Sequence, residues 1–114
     1  MRTIQHWISG SETTGASTRW GPVWNPATGE QQAQVALAEP ADVDAAVAAA
    51  TKAWQEWRDV SVIRRARVMF ALRDLIERHL DELSVLVADE HGKVVSDAKG
   101  EVIRGMEVVE FVCG

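Results

Sequence analysis

The apolar period of this chain changes once, near residue 40, and that change limits the fold to a strand region followed by a helical one. Up to residue 39 the apolar residues come in short β-prone runs broken by turn residues; from Pro40 onward they recur every three or four positions. Ile4-Gln5-His6-Trp7-Ile8 is a compact β-prone run that stops at Ser9-Gly10, and a polar loop rich in Ser, Thr and Gly follows from Ser11 to Arg19. Trp20-Gly21-Pro22-Val23-Trp24 is a second run. Pro22 has no N–H to give a neighbouring strand, so it places this run at a sheet edge. In Asn25-Pro26-Ala27-Thr28-Gly29-Glu30, Pro26 sets φ for a turn, Asn25 can bond its own backbone and Gly29 can take positive φ. Gln32 to Leu37 alternates polar with small or apolar residues, as a half-buried strand does.

Four helices are expected after that point. Pro40 suits a first helical turn, and Val43, Ala46, Val47, Ala50, Trp54 and Trp57 form one apolar stripe behind it. Ser61 can cap a second helix whose inner face is Met69, Leu72, Ile76 and Leu80. Asp81 can cap a third, carrying Leu83, Leu86 and Val87 and stopped by Gly92 in the left-handed manner. A fourth starts near Ser96 and carries Ala98, Val102, Met106, Val109 and Cys113 as its inner stripe. Its end, with Val108, Val109, Phe111, Val112 and Cys113, is apolar nearly all round, which calls for cover on every side. The chain is therefore expected to be the front of a larger protein.

Charge and composition exclude several classes. Lys and Arg total 12 against 17 Asp and Glu, a formal net charge of −5, which argues against nucleic acid or an anionic membrane as partner. The run Arg64-Arg65-Ala66-Arg67 spreads over consecutive helix positions and reads as a solvated face. With 46% apolar and 25% charged residues the composition is that of a folded soluble domain. One cysteine makes no internal disulfide, the first residues contain no apolar signal core, and no apolar run nears the ~18 residues of a membrane span. A cytoplasmic location is expected.

Two residues invite a chemical reading. Cys113 is the only thiol, but a helix C-terminus and the nearby Glu110 both disfavour a thiolate, so it reads as a small buried apolar residue. Arg104 has two readings. Glu101 and Glu107 lie at i−3 and i+3, where a surface salt-bridge ladder would occupy it. The adjacent Gly105 costs a helix about 1 kcal/mol relative to Ala, which suggests a close approach there and a guanidinium held for a ligand carboxylate. His6, His79 and His91 have no metal-ligand spacing, and no glycine-rich phosphate loop is present.

Taken in order, Trp7-Ile8-Ser9-Gly10, Asn25 to Glu30, Asp42 to Val47 with Trp54 and Trp57, Leu75-Ile76-Glu77, Glu82-Leu83 and Glu90-His91-Gly92-Lys93 resemble the N-terminus of the aldehyde dehydrogenase superfamily. The ending, Gly100 to Phe111 with Arg104-Gly105-Met106-Glu107 inside it, resembles the CoA-acylating methylmalonate-semialdehyde dehydrogenases. The resemblance implies an α/β fold of which residues 1–114 are an incomplete N-terminal part of the cofactor-binding domain. Short strands occupy 1–39 and about four helices 40–114, and the dinucleotide-binding parallel sheet is lacking. It implies NAD-dependent oxidation of methylmalonate or malonate semialdehyde to propionyl-CoA or acetyl-CoA, with loss of CO2, in valine or inositol catabolism. The catalytic cysteine, general-base glutamate and oxyanion asparagine of that family lie beyond these residues, so no catalytic and no cofactor-binding residue is assigned here. Arg104 alone is assigned, to the substrate carboxylate. NAD and CoA belong to the complete enzyme, and the expected partners are its remainder or further subunits. Two alternatives remain: a non-catalytic module that binds a full-length aldehyde dehydrogenase, and part of an aldehyde dehydrogenase with another substrate.

Overall fold

A computed structural model describes residues 1–114, in the order β1 (Arg2–Ile4), β2 (His6–Ile8), β3 (Ser11–Thr13), β4 (Arg19–Trp24), β5 (Gln31–Leu37), α1 (Pro40–Trp57), α2 (Val62–Arg78), α3 (Leu80–His91) and α4 (Val95–Val112). The expected order of short strands and four helices is the order observed. The chain divides into two compact units, one of residues 1–24 and 29–59, the other of 25–28 and 60–114.

In the first unit β5 is the centre of a three-stranded sheet, with β1 parallel to it on one side and β4 antiparallel on the other. Pro22 therefore stands on an edge strand, where its missing N–H costs no ladder bond. The 4–8 run does not form one strand. Ile4 pairs with Val35 in the three-stranded sheet, whereas Trp7 pairs with Glu12 in a separate hairpin of β2 and β3. The chain changes sheets at Gln5, which a period-2 pattern does not register. Ser11 to Thr13, expected as loop, is the second arm of that hairpin. Its two-residue turn has φ +55° at Ser9 and +78° at Gly10, the sign pair that matches strand twist in a tight hairpin.

Helix α1 does not bury its expected stripe. Val43, Val47, Trp54 and Trp57 are all exposed, and the Arg58 guanidinium lies over the Trp54 ring, 4.7 Å from its centre. The residue it buries is Asp42, 5% exposed.

The second unit follows its sequence more closely. The Ser61 hydroxyl accepts from the Arg64 N–H at 3.3 Å and starts α2 as expected. On α2, Met69 and Ile76 are partly covered, as is Leu80 at the start of α3, but Leu72 is 40% exposed and Arg73 takes the inner position beside it. Arg73 reaches Glu110 of α4 at 3.0 Å and also bonds Glu77, an arrangement that raises its pKa, Glu77 first and Glu110 second. The third helix begins two residues early: His79, not Asp81, precedes it, and Asp81 lies in its first turn with Lys99 Nζ at 2.8 Å. Leu86 points outward. Gly92 ends α3 with φ +82°, its N–H on the Ala88 carbonyl, and a Cβ there would meet Pro26 Cγ at 2.8 Å. The turn at 25–28 thus packs against the helix end, with the Asn25 side chain accepting from the Ala27 N–H at 2.9 Å and Gly29 following at φ +74°.

Helix α4 packs against α2 and α3 through the stripe expected of it. Ala98 and Met106 are buried, and Val102, Val109 and Cys113 are partly covered. Its two glycines carry no close approach. A Cβ at Gly100 or Gly105 would meet no atom of this chain within 4 Å. Gly100→Ala and Gly105→Ala are each expected to stabilise this chain by about 0.5–1 kcal/mol, because open space leaves only the entropic penalty of glycine. Urea unfolding measures it, and a loss of stability at Gly105 would reinstate the close contact.

Candidate functional site

The polar centre of the first unit is Asp42, at the third position of α1. Its Oδ1 accepts the Ala16 N–H at 2.6 Å, and its Oδ2 accepts the Glu39 N–H at 2.8 Å and the Ser17 hydroxyl at 3.3 Å. These donors, the Ala16 N–H above all, hold the carboxyl below its ordinary pKa, and His6 adds a weaker field. His6 Nε2 lies 2.8 Å from Ser17 Oγ and 3.9 Å from Asp42 Oδ2. Serine, histidine and aspartate thus meet, but not as a nucleophilic triad. A triad sets the carboxylate on one imidazole nitrogen and the serine on the other; here a single nitrogen faces both. The cluster ties the 14–17 loop to the start of α1. Sequence reasoning passed over it, although Glu39-Pro40-Ala41-Asp42 has the spacing of a capping pair.

Arg104 occupies an exposed position on α4, beside Glu107, Val108 and Phe111. The salt-bridge ladder, one of its two readings, does not form. Glu101 is held instead by Lys93 Nζ at 2.5 Å, and its pKa is lowered, by that bond first and by the fields of Lys93 and His91 after it. Glu107 makes no ion pair, and the Arg104 guanidinium has no hydrogen-bond partner. An unpaired, exposed guanidinium is chemically suited to a bidentate carboxylate.

Cys113 follows α4 as its C-terminal cap, half-buried, its N–H on the Val109 and Glu110 carbonyls. It is less enclosed than expected, and no basic side chain bonds it. His79 bonds Glu82 at 2.9 Å, and His91 is exposed in the last turn of α3. No group of three His, Cys, Asp or Glu side chains is placed to hold a metal ion. Gly100 and Gly105 lie inside α4 and not at a strand-to-helix turn, so they form no phosphate cradle. No helix is long and apolar enough to cross a membrane.

The chain is thus a small mixed sheet, a hairpin and four consecutive helices, the last carrying an unpaired arginine. Residues 13–114 match the model of the aldehyde dehydrogenase family. The chain is 49% identical over 113 residues to malonate-semialdehyde dehydrogenase 3 of Geobacillus kaustophilus, a match covering 99% of this chain and 23% of that protein. Its structure is similar to that of a methylmalonate-semialdehyde dehydrogenase from Sinorhizobium meliloti complexed with NAD, with a TM-score of 0.97, 44% identity, and coverage of 100% of this chain and 23% of that one. The corresponding enzyme of Oceanimonas doudoroffii gives a TM-score of 0.96 at 46% identity with the same coverage. This chain belongs to the aldehyde dehydrogenase family. It spans about a quarter of the length of these relatives.

Proposed function

We propose that these residues serve an NAD-dependent, CoA-acylating malonate- or methylmalonate-semialdehyde dehydrogenase, in which Arg104 binds the substrate carboxylate. The observation that carries this reading is an unpaired guanidinium on α4 of a chain 49% identical to a malonate-semialdehyde dehydrogenase. Ordinary aldehydes have no carboxylate, so a cation that recognises one separates acid semialdehydes from the rest. The product is acetyl-CoA or propionyl-CoA, formed with loss of CO2 in the cytoplasm. In the complete enzyme NAD takes up the hydride and CoA the acyl group. The residues of this chain hold neither cofactor in the proposal. Their part is to bind and orient the acid group, and the partner they act with is the remainder of the enzyme.

The test joins residues 1–114 to the remaining length of the Geobacillus kaustophilus relative. Arg104→Ala is expected to lower kcat/KM for malonate semialdehyde about 10- to 100-fold, the range of a hydrogen bond to a charged group, and to leave propionaldehyde oxidation unchanged. Equal losses on both substrates would sink the assignment. A second reading, a non-catalytic module that docks on a full-length aldehyde dehydrogenase, draws on the exposed Val43, Val47, Trp54 and Trp57 of α1. It predicts an inactive joined enzyme and co-purification with the intact relative.

A further inference from the structure

Arg104 is unpaired, and its neighbour one turn earlier on the helix is engaged elsewhere. Glu101 lies one turn before it, at the i−3 spacing where acid and base on a helix ordinarily meet. In the structure Glu101 turns the other way, to Lys93 in the segment between α3 and α4. The Lys93 side chain is 19% exposed against 52% for Glu101, so this pair is more shielded from water than one at the exposed Arg104. His91, two residues before Lys93, adds to the positive field on Glu101. Glu107 on the far side of Arg104 forms no ion pair.

We infer that Lys93 is a positioning residue for the carboxylate site: by capturing Glu101 it prevents the helix from neutralising its own arginine. The inference rests on the reading of Arg104 as a carboxylate binder, and it names what keeps that arginine available. Without the Lys93 ammonium, the nearest cation on Glu101's own helix face is Arg104, and an internal carboxylate then competes with any ligand. The competition is that of an exposed helix pair, which lowers ligand binding roughly two- to fivefold.

NMR of the 114-residue chain tests this, through the Arg104 Nε–Hε signal and the Glu101 carboxyl, with malonate as probe at fixed ionic strength. In Lys93→Met the Arg104 signal is expected to move without any ligand, and to return in Lys93→Met/Glu101→Gln. The initial slope of its shift with malonate is expected to fall two- to fivefold in Lys93→Met and to recover in the double variant. Lys93→Arg keeps the capture and should behave as the parent, which guards against a variant that merely loosens the fold. An unmoved Arg104 signal in a folded Lys93→Met overturns the role of Lys93. A signal that moves as expected, in a chain whose Arg104 never responds to malonate, upholds the capture and instead refutes the carboxylate reading.

Discussion

Gly15→Ala is expected to unfasten the first unit. Gly15 has φ +56°, and a Cβ built on it would lie 1.9 Å from Asp42 Oδ1. The left-handed backbone alone costs an alanine about 1–2 kcal/mol. The overlap adds to that, because either the 14–17 loop or the carboxylate must move, and the bonds from the Ala16 N–H and Ser17 hydroxyl go with it. A small domain loses about 4–8 °C of Tm per kcal/mol, so thermal unfolding followed by tryptophan fluorescence resolves the change. The same carboxylate gives the unit an acid sensitivity of defined sign. Asp42 has a folded pKa below its ordinary value near 3.8. Its contribution is therefore complete above that value and fades as the pH falls through the lower, folded one. Asp42→Asn should remove this part of the acid dependence while lowering stability at neutral pH. A Gly15→Ala chain as stable as the parent would show that the loop does not lie on Asp42.

Met106→Ala is expected to cost about 2–5 kcal/mol, the largest effect of any single truncation in α4. Four apolar residues form the buried core of the chain, Ala33, Ala36, Ala98 and Met106, and only the last is large. It is 9% exposed on the helix that packs against both α2 and α3, so removing its side chain leaves a void with three helices around it. Phe111→Ala is the internal control. Phe111 is 84% exposed, and its truncation should change stability by less than about 0.5 kcal/mol. Urea unfolding of the two variants beside the parent gives both numbers. Equal losses would mean that α4 is packed on a different face.

Much of the local architecture was legible because it is written in short-range rules. The α4 stripe from Ala98 to Cys113, the Ser61 cap, the left-handed Gly92, the edge position of Pro22 and the turn at Asn25-Pro26 each depend on residues within one or two turns of one another. Three features were not legible, for one reason. The split of the 4–8 run depends on β5, some thirty residues away. Asp42 is buried by a loop 26 residues before it. Glu101 is paired with Lys93, from outside the helix, and not with Arg104.

The sequence by itself determined which residues are helical, which face of each helix is apolar, and which family the motifs belong to. It did so because periodicity and capping act between neighbours along the chain. Only the tertiary structure decided which apolar faces are covered. Val102 and Val47 carry the same side chain on the same kind of stripe, yet one meets packed helices and the other meets solvent. It also decided which charges are satisfied: burial and ion pairing depend on what the fold brings from a distance, and no spacing in the chain states that.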